Sequence, residues 1–143
     1  MSDISAVPDL AHLEIPIDDW TAPFWEATAQ HQLRLPACAD CAAVRWPPGP
    51  FCPRCQSQSV RWQPAGEGRI YSFTVLRSQD SSGQTRIQVP ALIEFPEAGG
   101  VRLLAAVVDS ALDAIAIGRT VEPDWVAAAN ATVPLFRLAH PRS

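Results

Sequence analysis

All four cysteines of the chain stand in two C-x-x-C pairs, Cys38-Ala39-Asp40-Cys41 and Cys52-Pro53-Arg54-Cys55. A turn that closes over such a pair aims two sulfurs at one point. Two of these turns brought together enclose a tetrahedral site with metal–sulfur distances of about 2.3 Å. The stretch between them, Ala42 to Phe51, has room for two short strands and a turn at Pro47-Pro48-Gly49. Whatever the rest of the chain does, residues 38 to 55 are expected to fold back on themselves. Four protein ligands leave no position for water or substrate, so the site reads as structural. Zinc is the expected metal, and iron in a rubredoxin-like site takes the same four ligands. A disulfide pairing is disfavoured in a reducing compartment. A thioredoxin-like redox motif needs only one such pair and a different fold. The lobe around the cysteines has little apolar core, so metal binding is expected to supply much of its folding free energy.

Composition narrows the rest. The chain has 143 residues, 48% of them apolar and 18% charged, a globular balance with enough length for a core. Fourteen prolines and seven glycines favour short strands and turns over long helices. All eleven basic residues are arginine. Without lysine, side-chain Schiff-base chemistry is excluded. A formal net charge of −4 argues against a protein built to neutralise phosphate backbones. The segment Met1 to Leu10 has neither the cationic region nor the apolar core of a secretory signal. The longest apolar run, Leu103 to Val108, is far short of the ~20 residues of a membrane span. A cytoplasmic protein with no membrane contact is the expectation.

Three parts follow from the pattern: residues 1–32, 33–64 and 65–143. Up to Ile17 no period emerges, which reads as an extended arm ordered only by packing on something else. From Trp20 a helix of about three turns is expected, with Thr21 as cap, Pro23 in the first turn, Trp20, Phe24, Ala27 and His31 on one face, and its end near Gln32. Leu33 to Leu35 and Val60 to Trp62 read as short strands flanking the cysteine lobe. Beyond Gly66-Glu67-Gly68 the character is β. Strands are expected at Arg69 to Arg77, Val89 to Phe95, Val101 to Val108, Thr120 to Val126 and Ala131 to Leu138. Gln79 to Thr85 reads as a polar loop, and Pro96 to Gly100 as a hairpin connection. The fold class is therefore mainly β: an N-terminal helix, a rubredoxin-like zinc ribbon and a five-stranded OB-fold barrel, with a small sandwich as the other arrangement five strands allow.

In this order of parts the chain resembles a known family, the fused rubredoxin-like zinc ribbon and OB-fold proteins long described as a domain of unknown function and encoded beside thiolases. The resemblance is carried by Pro23-Phe24-Trp25, Leu33-Arg34-Leu35, both cysteine pairs with Trp46-Pro47-Pro48, Gly66 to Val75, Pro90-Ala91-Leu92-Ile93, Ile117-Gly118 and Pro134-Leu135-Phe136. It spans about Trp20 to Leu138. Gly49 departs from it, since the family usually has a basic residue after the paired prolines, which weakens an anion contact at that point. The resemblance implies a non-catalytic partner of thiolase-like or lipid-transfer-protein-like enzyme subunits acting on acyl-CoA thioesters, in a hetero-oligomer. Retro-aldol cleavage, thiolysis and acyl transfer all occur among its members, and some are fused to hotdog-fold hydratases.

The residues agree with an accessory role. Cys38, Cys41, Cys52 and Cys55 are committed to the metal. His12, His31 and His140 fall in no recognisable pairing with a nucleophile, and Asp109 and Asp113 read as a solvated turn. If coenzyme A touches this chain, Arg45, Arg54 and Arg61 are the candidate phosphate contacts. Trp20, Phe24, Trp25, Trp46 and Phe51 are the candidate partner contacts or acyl-channel wall, with packing on the chain's own body as the other reading. A nucleic-acid-binding OB-fold with Tyr71, Phe73 and Trp62 as stacking platform is the alternative, opposed by the acidic charge and the dispersed arginines.

Overall fold

The computed structural model describes residues 3–140; the first two positions of the expected arm and the last three of the expected barrel segment lie outside them. One helix, α1 (Ala22–Ala29), precedes nine strands: β1 (Arg34–Cys38), β2 (Val60–Pro64), β3 (Gly68–Phe73), β4 (Leu76–Gln79), β5 (Thr85–Gln88), β6 (Pro90–Phe95), β7 (Val101–Ala106), β8 (Thr120–Ala127) and β9 (Thr132–Leu138).

β1 and β2 pair antiparallel, from Arg34 opposite Pro64 to Cys38 opposite Val60, and carry the cysteine lobe at their far end. The five long strands form one antiparallel sheet in the order β7-β6-β3-β8-β9. The sheet curls until its edges meet. Val107, just past β7, makes a parallel bridge to Phe136 of β9, and Val108 N–H donates to the Phe136 carbonyl at 2.7 Å. That closure gives the OB-type barrel expected from five strands. Its interior holds Ile70, Val89, Ile93, Phe95, Val107 and Phe136, with the Phe95 and Phe136 rings 6.1 Å apart. Leu35 of β1 belongs to the same apolar cluster, so ribbon and barrel share one core. Gly68 is required at the start of β3: a Cβ there would lie 2.8 Å from Ile93 Cγ2 and 3.0 Å from the Phe95 ring.

Three expectations are corrected. The helix has two turns and stops at Ala29. It ends in a Schellman motif, with Gln32 N–H on the Ala27 carbonyl and His31 N–H on the Thr28 carbonyl, while His31 takes the left-handed conformation at φ 57°. Thr21 provides no side-chain cap. Asp18 does the work instead, its Oδ1 accepting from the Trp20 and Thr21 N–H groups at 3.0 and 2.9 Å. The strand expected from Arg69 to Arg77 breaks after Phe73, where the chain leaves the barrel. Leu76 to Gln88 then forms a separate hairpin, and the supposed loop at Gln79 to Thr85 is its tip, held by Asp80 Oδ1 accepting from Ser82 and Gln84. Every β4 residue is exposed, so alternation of polar and apolar residues carried no signal there.

The arm packs on the chain's own barrel. Ser5 is buried, donating from its N–H to the Ser110 carbonyl at 3.0 Å; Ala6 N–H reaches the Ile87 carbonyl, and Arg86 Nη2 donates to the Val7 carbonyl. Asn130 clasps the other end: its Oδ1 accepts from Ile15 N–H and its Nδ2 donates to the Ile15 carbonyl, both at 2.8 Å. No helix among the described residues is long and apolar enough to cross a membrane.

Candidate functional site

The two C-x-x-C turns are built alike. In each, the first cysteine's N–H donates to the carbonyl five residues on (Cys38 to Ala43, Cys52 to Ser57), and its carbonyl accepts from the N–H four residues on, at Ala42 and Gln56. Ala42 and Gln56 both sit in the left-handed region, at φ 67° and 64°. This repeated geometry aims all four sulfurs inward, so that they lie within 4.8 Å of one another. Cys38 and Cys55 sulfurs are 3.5 Å apart, and those of Cys41 and Cys52 3.6 Å. Those separations are close to the roughly 3.8 Å between ligands of a tetrahedral zinc–thiolate centre and far beyond the about 2.05 Å of a disulfide. Backbone N–H groups point at the sulfurs, with Cys41 N 3.5 Å from Cys38 Sγ and Arg54 N 3.4 Å from Cys52 Sγ. Such donors favour the thiolate. The Cys41 N–H lowers the Cys38 thiol, and the Cys55 N–H leads in bringing Cys52 down to about 6. Although Ser57's N–H acts in the opposite direction, the neighbouring sulfurs, Cys38 first, and desolvation hold Cys55 up at about 12. The donor set fits zinc, whose binding requires the sulfurs as thiolates.

Beside this lobe lies an apolar groove of about 490 Å³. Five separate stretches wall it: the arm at Pro8, Leu10, Ile15 and Pro16, the helix at Phe24 and Trp25, the ribbon loop at Trp46, Pro47 and Pro48, and the strands β7 and β9. Phe24 is buried and holds these walls together, its ring 5.0 Å from Trp25 in an edge-on arrangement and 4.9 Å from Trp46. The five aromatic candidates thus divide. Phe24, Trp25 and Trp46 form one cluster, whereas Trp20 and Phe51 are exposed and outside it. Leu104, 70% exposed on the floor of the groove, escaped the sequence reading. Alternation along β7 gives its outward face, but nothing local shows that the arm and ribbon loop meet there.

The arginine candidates are also dispersed. Arg45 is buried and turned into the ribbon loop, with Nη2 donating to the Gly49 carbonyl at 3.0 Å. Arg54 and Arg61 are exposed on the ribbon, the latter donating to Gln63. On the barrel's outer face Arg102 lies over one side of the exposed Tyr71 ring at 3.6 Å, and Phe73 packs against the core. Arg69 and Arg102 flank Glu94, and the Arg69 hydrogen bonds hold its carboxyl below the usual carboxylate range. His12, His31 and His140 are exposed, with His31 stacked on Trp125 at 5.1 Å.

A four-cysteine ribbon sharing its core with a closed five-stranded barrel defines the class: a zinc ribbon fused to an OB-fold. More closely, the chain belongs to the ChsH2 family, matching its rubredoxin-like zinc ribbon domain over residues 25–61 and its C-terminal OB-fold domain over residues 62–126. Among solved structures it is similar to a chain of the Ltp2-ChsH2(DUF35) aldolase, with TM-score 0.75 and 36% identity, covering 87% of this chain and 98% of that one. It is 40% identical over 124 residues to a probable enoyl-CoA hydratase alpha subunit of Thermomonospora curvata, covering 83% of this chain and 38% of that protein. It is 33% identical over 112 residues to the 3-oxo-4,17-pregnadiene-20-carboxyl-CoA hydratase alpha subunit of Mycobacterium tuberculosis, covering 73% of this chain and 35% of that protein. The chain therefore spans less than two fifths of the length of the curated relatives it matches.

Proposed function

We propose that this chain is a non-catalytic accessory subunit of a thiolase-fold enzyme that acts on acyl-CoA thioesters, in carbon–carbon bond cleavage or formation such as a retro-aldol or thiolysis step of lipid or steroid side-chain breakdown. The observation that carries this reading is the similarity, 36% identity with TM-score 0.75, to a chain of the Ltp2-ChsH2(DUF35) aldolase, a complex with a second enzyme subunit. The solved chain, described as the DUF35 part of ChsH2 in a complex with Ltp2, is matched along nearly its whole length, whereas the hydratase subunits are matched over little more than a third of theirs.

Its own chemistry supports a supporting role. The four thiols converge on one closed metal site, there is no lysine, and the three histidines are exposed without a nucleophile beside them. Zinc, when bound at Cys38, Cys41, Cys52 and Cys55, supplies folding free energy and fixes the loop that carries Trp46. The subunit then acts by position: the cluster of Phe24, Trp25 and Trp46 seats the partner, orders its active-site loops and helps complete its acyl channel. Arg54 and Arg61, exposed on the ribbon, remain available for coenzyme A phosphates.

Co-expression with a thiolase-like subunit from the same genome tests the reading. A stable hetero-oligomer with one zinc per copy of this chain, active on acyl-CoA only when both subunits are present, is the expected result. Turnover by the isolated chain, or full activity of the partner alone, would overturn it.

A further inference from the structure

The groove has an electrostatic rim that its apolar floor conceals. Between residue 1 and Arg34 the sequence contains no arginine or lysine, yet Asp9, Glu14, Asp18, Asp19 and Glu26 all fall in this stretch. All five are exposed. They alternate with the groove's own wall: Asp9 lies between Pro8 and Leu10, Glu14 precedes Ile15, and Glu26 follows Trp25. Among the described residues none of the five is in an ion pair. Of the arginines nearest in sequence to the opposite wall, Arg137 pairs with Glu122 and Arg102 shares Glu94 with Arg69. Arg45, next to Trp46, stays a buried cation, with Nη2 donating to the Gly49 carbonyl, and sets one positive charge against the five carboxylates. The arm and helix that wall the groove therefore carry net negative charge beside its apolar lining.

We propose that this groove docks an apolar segment of the enzyme subunit that is bordered by lysine or arginine side chains, the carboxylates of the arm and helix steering and registering it. This rests on the accessory-subunit reading and names the face that the partner uses. Charge complementarity selects the occupant. A second copy would bring a carboxylate rim against a carboxylate rim, and a coenzyme A ester would bring its phosphates to the same negative edge. Both arrangements are repulsive, whereas a basic-bordered protein segment is attracted by the rim and buries its apolar centre on Leu104, Trp25 and Trp46. Steering of this kind raises association rates by roughly tenfold or more at low ionic strength and fades as salt screens it.

The test uses this chain and a thiolase-like subunit from the same genome with which it co-purifies, with association followed by stopped-flow fluorescence from about 0.03 to 0.5 M salt. Glu14→Arg/Asp19→Arg/Glu26→Arg alters only exposed side chains and leaves the Asp18 cap in place. It should slow association about tenfold at the lowest salt and converge on the parent rate at the highest. Leu104→Arg should speed dissociation at least tenfold at every salt concentration. Zinc content and melting temperature should stay at parent values in both variants. If the complex forms but the triple variant associates at the parent rate throughout, the inference is wrong while the accessory reading stands. Failure of any complex to form overturns both. A dimer of the isolated chain, or binding of palmitoyl-CoA by it, that Leu104→Arg abolishes would assign the groove to one of those occupants and overturn the inference too.

Discussion

Replacing Phe24 by alanine tests whether one ring joins the helix, the ribbon loop and the groove. The side chain is 3% exposed, with ring centroids 5.0 Å from Trp25 and 4.9 Å from Trp46. Phenylalanine-to-alanine changes in cores cost about 3–5 kcal/mol, the spread reflecting how far the site collapses into the space left. Phe24 lines the groove, so the vacated volume opens to water instead of persisting as a sealed void, which places the loss near 3 kcal/mol. For a chain near 150 residues that lowers Tm by roughly 6–12 °C. The contact with Trp46 is separable by a double-mutant cycle: Phe24→Ala and Trp46→Ala should be coupled by about 0.5–1.5 kcal/mol, the usual worth of an aromatic pair. Trp20→Ala is the control, because Trp20 is 45% exposed and outside the cluster; it should cost no more than about 0.5 kcal/mol. Calorimetry gives the melting temperatures, and elemental analysis should show zinc retained in each variant, since no sulfur ligand is touched. A Phe24→Ala protein melting within about 2 °C of the parent, or zero coupling to Trp46, would refute the claim that this ring ties the walls together.

Ala42→Gly and Gln56→Gly should each stabilise the zinc-loaded protein by about 1 kcal/mol, because both positions hold side chains in the left-handed region; denaturant midpoints measured with zinc in slight excess check this. Stripping the metal with a strong chelator should lower Tm further in the parent than any of these single substitutions does, because the lobe's sulfur cluster replaces an apolar core. Glu94, whose carboxyl is held low by Arg69, takes up its proton in the unfolded chain before it does so in the folded one. It therefore stabilises the fold above its unfolded pKa of about 4.3, and the contribution disappears as pH falls through the lower folded value. Urea midpoints of Glu94→Gln and the parent should differ at pH 7 and converge as pH drops below about 4; a constant gap would contradict the pairing.

What sequence alone determined here is local. Two C-x-x-C turns close through hydrogen bonds spanning five residues, so the spacing of Cys38, Cys41, Cys52 and Cys55 sufficed to foresee a four-sulfur centre. Some barrel strands were legible for a related reason: in Pro90–Phe95 the buried Ala91, Ile93 and Phe95 repeat every second residue, whereas Thr132–Leu138 buries Pro134, Leu135 and Phe136 in a row and was legible only as an apolar run. The helix start was visible, with Thr21 at the N-cap position, but its hydroxyl turns back to accept from the Asp18 N–H while Asp18 Oδ1 accepts from the Trp20 and Thr21 N–H groups, an exchange that only the backbone path sets. Tertiary structure alone decided the features that join distant segments. The arm's order comes from Ser110, Ile87 and Asn130, more than eighty residues away along the chain. The break after Phe73 follows from the path of β3 out of the barrel, and β4, exposed on both sides, left no pattern to read. Arg45 looked like any ribbon cation until folding turned it toward Gly49. The groove is the clearest case, because its walls come from residues 8 to 16, 24 to 25, 46 to 48, 103 to 106 and 133 to 135. Apolar periodicity says which side of an element is buried; which element buries it is settled only when the curled sheet, the ribbon and the arm compete for the same surface.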